Sequence, residues 1–203
     1  MKWSEKKNQA IWINLFTNIR YGGQPCCPSY LYHQHDLIMS SKQTEKISIF
    51  CAKLIGTGFG AGYCPLAPGT AGSLLAGAIW FLLCLLLPEN NLYDLLPCLI
   101  ILFTLAGVWA ANKLQPLWGE DPSRIVIDEI VGTWIVLYVV PVGHLYLAIL
   151  GILLFRLFDI FKPLGIRFME KVSGGWGVML DDILAGIYGV LCMLLLQWIT
   201  FCF

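Results

Sequence analysis

The chain is 203 residues long, enough for one domain with an appended tail. Hydrophobic residues make up 58% of it and mean hydropathy is +0.71, whereas charged residues are 13%, well below the usual share of a soluble domain. Its 13 basic and 13 acidic side chains cancel, which excludes a basic nucleic-acid surface and points to a multispan membrane protein.

Residues 1–45 read as a polar N-terminal extension, with Gly22, Gly23, Pro25 and Pro28 and no sustained apolar period. The apolar stretch from Ala10 to Ile19 is too short and too polar for a secretory signal core. Residues 1–38 are expected to be disordered, or the product of a mis-assigned start for which Met39 would serve equally well. His33, His35 and Asp36 could bind a metal, but they read as a solvated tail.

Residues 46–203 read as the membrane domain, all-α and polytopic, with about four to five transmembrane helices. Without water to satisfy an open sheet edge, apolar spans in a bilayer are helices. The Gly-rich stretch Ile47–Cys64 reads as an interfacial or re-entrant approach. Five runs of near-spanning length follow: Ala71–Leu87, Leu92–Asn112, Ile125–Val140, Leu145–Phe161 and Asp181–Phe203. Cys84, Cys98, Cys192 and Cys202 lie inside these runs, where cysteine behaves as a small hydrophobe. The eight cysteines form no CxxC pair, so neither a disulfide framework nor a zinc site is expected.

Alternating the spans brings the segment Pro68–Ser73, Asp128 and Glu129, Asp159, and Asp181 and Asp182 to one membrane face. From residue 46 onward there are eight Lys or Arg side chains (Lys46, Lys53, Lys113, Arg124, Arg156, Lys162, Arg167 and Lys171), all on or near that face. The turns predicted on the opposite face, Pro88–Asn91 and Pro141–His144, contain none. By the positive-inside rule the acid-bearing face is cytoplasmic.

Those five carboxylates carry the chemistry. An ionised side chain in a bilayer costs on the order of 2.5–3.5 kcal/mol even on the lenient insertion scale. Five acids converging would repel one another without a cation between them, and hard carboxylate oxygens suit Mg²⁺. Asp128–Glu129 and Asp181–Asp182 each open a helix, where the dipole also favours acids, so a capping role competes with a site. Asp159 ends a helix, where the dipole disfavours it. It needs a partner, and Arg156 and Lys162 share its face. Metal-bound acids with Lys162 and Arg156 beside them make a site for an anion such as phosphate. Pro68-Gly69-Thr70-Ala71-Gly72-Ser73 offers free backbone N–H groups and two hydroxyls, Thr70 and Ser73, as an anion cradle, although such residues are also ordinary caps.

Absences narrow the reaction. No cysteine has an arginine six positions later, no Asp-x-Asp pair is present, and no Gly-x-x-x-x-Gly-Lys loop occurs. His144 falls on the opposite face. Metal-activated water or a direct Asp nucleophile remains.

Four motifs in register resemble one known family. They are Phe59–Gly62 leading to Pro68–Ser73, Ile127–Gly132, Phe155–Pro163, and Gly174–Gly186, and they are similar to those of phosphatidylglycerophosphatase A. The match runs from about Leu54 to Gly189. The resemblance implies a Mg²⁺-dependent lipid phosphatase of the bacterial inner membrane, converting phosphatidylglycerophosphate to phosphatidylglycerol. It maps the family's acids onto Asp128, Glu129, Asp159, Asp181 and Asp182, with Lys162 in the matching basic position. Two rivals are a cation- or proton-coupled transporter using the same acids and a phosphatidyl-group transferase. No acid at mid-span supports the first, and the Asp-Gly-x-x-Ala-Arg signature of the second is absent. Nothing in the sequence fixes the oligomeric state.

Overall fold

A computed structural model of the protein describes residues 28–119, 122–163, 165–169 and 172–202. These form seven α-helices joined by short turns, and no strand occurs among the described residues. Helix α1 is Pro28–Gly56, α2 Pro68–Leu86, α3 Glu89–Trp118, α4 Ile127–Leu137, α5 Leu145–Phe161, α6 Ile166–Met169 and α7 Gly175–Cys202. The expectation for the N-terminal extension lies outside the described residues up to residue 27, and Pro28–Gly56 is helical. Residues 48–203 make one compact unit.

Three helices are long and apolar enough to cross a membrane: α2, α3 and α7 over Gly175–Thr200. Helix α5, with 17 residues, is close to that length. The predicted span Ile125–Val140 differs. Its helix covers only 11 residues, roughly 16 Å at 1.5 Å per residue, about half the hydrocarbon thickness. Val139 and Val140 continue the apolar run, but they belong to a turn that Pro141 and Gly143 complete. The helix is also buried on every side: Ile127, Ile130, Val131, Trp134, Val136 and Leu137 are all in the core. It is a central peg packed against α2, α3, α5 and α7.

Glycine makes the tightest contact around that peg. A Cβ on Gly132 would meet the Phe155 ring and lie 2.8 Å from the Asp182 carbonyl, and one on Gly186 would lie 2.8 Å from the Gly132 carbonyl. Only bare backbone lets α4 and α7 approach this closely. Trp134 fills the space further along, its indole N–H donating to the Ala76 carbonyl of α2 at 3.0 Å and its ring meeting Phe103 edge-on.

The stretch predicted as an interfacial or re-entrant approach consists of the last turns of α1, a tight turn and a short 3-10 helix, Ala61–Tyr63. Phe59 and Gly60 take left-handed backbone there, and the Thr57 hydroxyl donates to the Lys53 carbonyl at 2.7 Å. The Val126 N–H donates to the Gly56 carbonyl at 2.8 Å, tying the end of α1 to the loop that enters α4.

Candidate functional site

At one end of the helices the starts of α2, α4 and α7 meet the end of α5. A cavity of about 640 Å³ opens there. Asp128, Glu129, Asp159, Lys162, Asp181 and Asp182 all line it, together with Gln115, Ser123, Ser173 and Gly174. No histidine, cysteine or tyrosine lines it among the described residues.

The five acids divide into two sets. Asp128, Glu129 and Asp182 each offer a carboxylate oxygen within 4.8 Å of the other two. Asp128 and Asp182 are buried, and the Asp128 carboxylate also accepts the Glu129 N–H at 3.0 Å. Two unit negative charges 4.8 Å apart repel by about 3–4 kcal/mol at an effective dielectric of 20. Three such groups facing one another are compatible with folding only if protonated or bridged by a cation.

The other two acids each hold a base. Arg156 Nη1 lies 2.6 Å from Asp159 Oδ2, one turn apart on α5. Helix α7 begins at Gly175, so Asp181 and Asp182 lie in its second turn rather than opening it as predicted, and Lys162 Nζ, 2.7 Å from Asp181 Oδ2, joins the end of α5 to that turn. Lys162 is the C-cap of α5 and takes left-handed backbone with φ +44°, which a non-glycine residue seldom adopts.

Gly69 explains how Arg156 enters the group. A Cβ there would collide with Glu129 Oε1 and fall 2.9 and 3.0 Å from the two terminal nitrogens of Arg156. The missing side chain leaves room for both the Glu129 carboxylate and the guanidinium beside the start of α2. The two hydroxyl residues of the Pro68–Ser73 segment do not line the cavity. Thr70 is exposed, and the buried Ser73 hydroxyl is turned back to the Gly69 carbonyl at 3.1 Å. Sequence reasoning did not single out Gln115, Ser123 or Ser173 as lining residues. They sit near a helix end and in two loops, where no periodic pattern marks a side chain as inward-facing.

The donor set fits a hard divalent cation. Among the described residues the candidate ligands are all oxygens, and Glu129 Oε2 is buried without a hydrogen-bond partner. Native proteins rarely leave buried carboxylate oxygens unsatisfied. A metal bound by carboxylates would satisfy such an atom.

Fold and site together define an all-helical membrane protein with a cation-ready acidic centre at one end of its bundle. The family model for phosphatidylglycerophosphatase A matches residues 54–197. The chain belongs to the phosphatidylglycerophosphatase A family, a family of lipid phosphatases. A Bacteroides thetaiotaomicron protein, provisionally named a phosphatidylinositol-3-phosphatase, is 53% identical over 152 residues, covering 74% of this chain and 96% of that one. The phosphatidylglycerophosphatase A of Escherichia coli is 38% identical over 136 residues, 66% of this chain and 76% of its own. That of Haemophilus influenzae is 38% identical over 147 residues, 71% and 88% respectively. No solved structure matches the chain.

Proposed function

We propose that the protein is a Mg²⁺-dependent phosphatase that hydrolyses phosphatidylglycerophosphate to phosphatidylglycerol and phosphate at the cytoplasmic face of a bacterial inner membrane. The observation that carries this reading is the meeting of Asp128, Glu129 and Asp182 within 4.8 Å, with Lys162 on the same cavity wall, in a chain of this family.

In this reading Asp128, Glu129 and Asp182 hold the metal. When bound, Mg²⁺ would supply positive charge opposite the phosphoryl oxygens as the ester bond to the leaving alcohol breaks. Lys162 binds the same phosphate as a point charge. Asp181 sets where that ammonium waits, and Asp159 does the same for Arg156, whose guanidinium lies with Glu129 beside Gly69. The attacking water gives its proton to a carboxylate on the wall, and a wall carboxylic acid returns a proton to the leaving alkoxide, which departs as the alcohol. Thr70 and Ser73 contribute helix-start backbone near the site rather than hydroxyl contacts in the cavity.

Orientation rests on charge. The cavity end carries Lys53, Arg124, Arg156 and Lys162, while the turns at the other end of the helices carry no Lys or Arg.

The 53% identity to the Bacteroides protein favours a second headgroup reading, phosphatidylinositol 3-phosphate. Both candidates are phosphomonoesters of a polyol that is itself joined to diacylglycerol through a phosphodiester. The experiment is Mg²⁺-dependent phosphate release by purified protein from phosphatidylglycerophosphate, phosphatidylinositol 3-phosphate and phosphatidic acid. Fastest turnover of the first supports the principal reading. Preference for the second replaces the headgroup, and full turnover in excess chelator overturns the metal assignment.

A further inference from the structure

Beside the acidic cavity lies a second charged feature that the proposed reaction leaves unused. Lys53, in the last turn of α1, holds its ammonium 5.8 Å from the centre of the Trp118 ring. Arg124, in the loop before α4, holds its guanidinium 6.0 Å from the same centre. Trp118 is the last residue of α3 and is half-buried. Two cations therefore share one indole. Among the described residues neither has a carboxylate partner.

An aromatic ring attracts a cation weakly at an exposed site, which orients two long side chains without neutralising them. Among the described residues the pair thus presents positive charge without an acidic partner, which an anion could satisfy. Its position is fixed relative to the cavity through the backbone. Ser123 and Ile125, on either side of Arg124, line the cavity, as does Gln115, one turn before Trp118. Lys53 is tied to the same loop through the Val126–Gly56 hydrogen bond three residues beyond it.

We propose that Lys53, Trp118 and Arg124 form a binding site for the phosphodiester anion of a glycerophospholipid, next to the hydrolytic cavity. This rests on the lipid-phosphatase reading. A substrate of that kind carries two anions, the monoester that reacts and the diester on the far side of the polyol. The acids and Lys162 engage the first, and the Trp118 pair receives the second. Phosphatidic acid has no separate diester, so this site discriminates against it. Trp118 suits the position because indole partitions to the headgroup zone of a membrane.

The probe is short-chain phosphatidylglycerol, which has the diester and no monoester, titrated calorimetrically into protein in neutral detergent without added metal. Wild-type protein should bind it. The double variant Lys53→Gln, Arg124→Gln should lose about tenfold or more in affinity, or about 1.4 kcal/mol. Lys46→Gln, which removes one cation elsewhere on α1, should bind like wild type. No turnover is needed, so failure of the phosphatase reading would leave this result interpretable. Kinetics then identify where the diester comes from. A raised KM with phosphatidylglycerophosphate as the sole anionic lipid assigns the site to the substrate's own diester. A raised KM only in vesicles containing phosphatidylserine assigns it to a neighbouring lipid. Equal phosphatidylglycerol affinity in the double variant and wild type would overturn the proposal and leave both cations as partners of helix C-termini.

Discussion

Lys162 and Asp181 close a 2.7 Å ion pair between the end of α5 and the second turn of α7, on the wall of the cavity that also holds Asp182. Adjacent acids on one helix thereby face different partners: Asp181 turns to an ammonium, and Asp182 turns to two further carboxylates. The pair ties the two helices together and fixes a cation beside an acidic cluster.

That division predicts unequal consequences for neighbouring substitutions. Asp182→Asn should weaken Mn²⁺ binding, followed by electron paramagnetic resonance without substrate, by about tenfold or more, a loss of about 1.4 kcal/mol. Asp181→Asn should keep metal affinity and raise KM, because it removes the ion pair that positions Lys162 rather than a metal ligand. Equal loss of metal by both variants would contradict the assignment.

Lys162→Ala should lower kcat/KM by about tenfold or more while metal binding survives, since a charge-assisted contact to phosphate is removed. A silent Lys162→Ala would make it a lysine that only reaches toward the membrane interface.

Gly69→Ala separates site from scaffold in another way. Alanine favours a helix interior over glycine by roughly 0.5–1 kcal/mol, so thermal stability should hold. Activity should nevertheless drop by about tenfold or more, because the methyl group would displace the ends of Glu129 and Arg156. Full activity in a stable Gly69→Ala protein would show that this close approach is not needed.

Neutralising acids in metal-free protein should reveal their surroundings. Asp128→Asn relieves repulsion within the cluster, so its melting temperature without metal should match or exceed wild type while activity disappears. Asp159→Asn leaves Arg156 without its 2.6 Å partner and should lower stability by a few kcal/mol, at the ~3–5 kcal/mol scale for a buried pair discounted for partial exposure. Melting curves and specific activities on the same samples distinguish the two.

For topology, single cysteines at Thr70 and Asn91, both exposed, in a background lacking native cysteines should label from opposite sides. Labelling of Asn91→Cys from the cytoplasm would reverse the orientation.

Much of this was legible before any coordinates. Span parity alone brought Asp128, Asp159 and Asp181 to one end, because each apolar run reverses the chain and the acids sit only at run ends. Parity survives even though α4 is too short to span. Hydropathy could not reveal that shortness: Tyr138, Val139 and Val140 are as apolar as the helix they follow. Nor could spacing show that Ser73 turns its hydroxyl back onto its own helix. The sharing of Trp118 by Lys53 and Arg124 depends on three segments far apart in sequence, and no local pattern encodes it.

Helix α4, enclosed by four others, begins at the cavity and ends inside the protein. Bilayers differ in thickness, and long helices answer by tilting or by thinning the lipid around them. A helix without a lipid-facing side is spared that adjustment. Asp128 and Glu129 ride on such a helix, and Gly132 locks it to the backbone beside Asp182. Two of the three clustered acids are thereby spared an adjustment that still reaches Asp182 through its spanning helix α7.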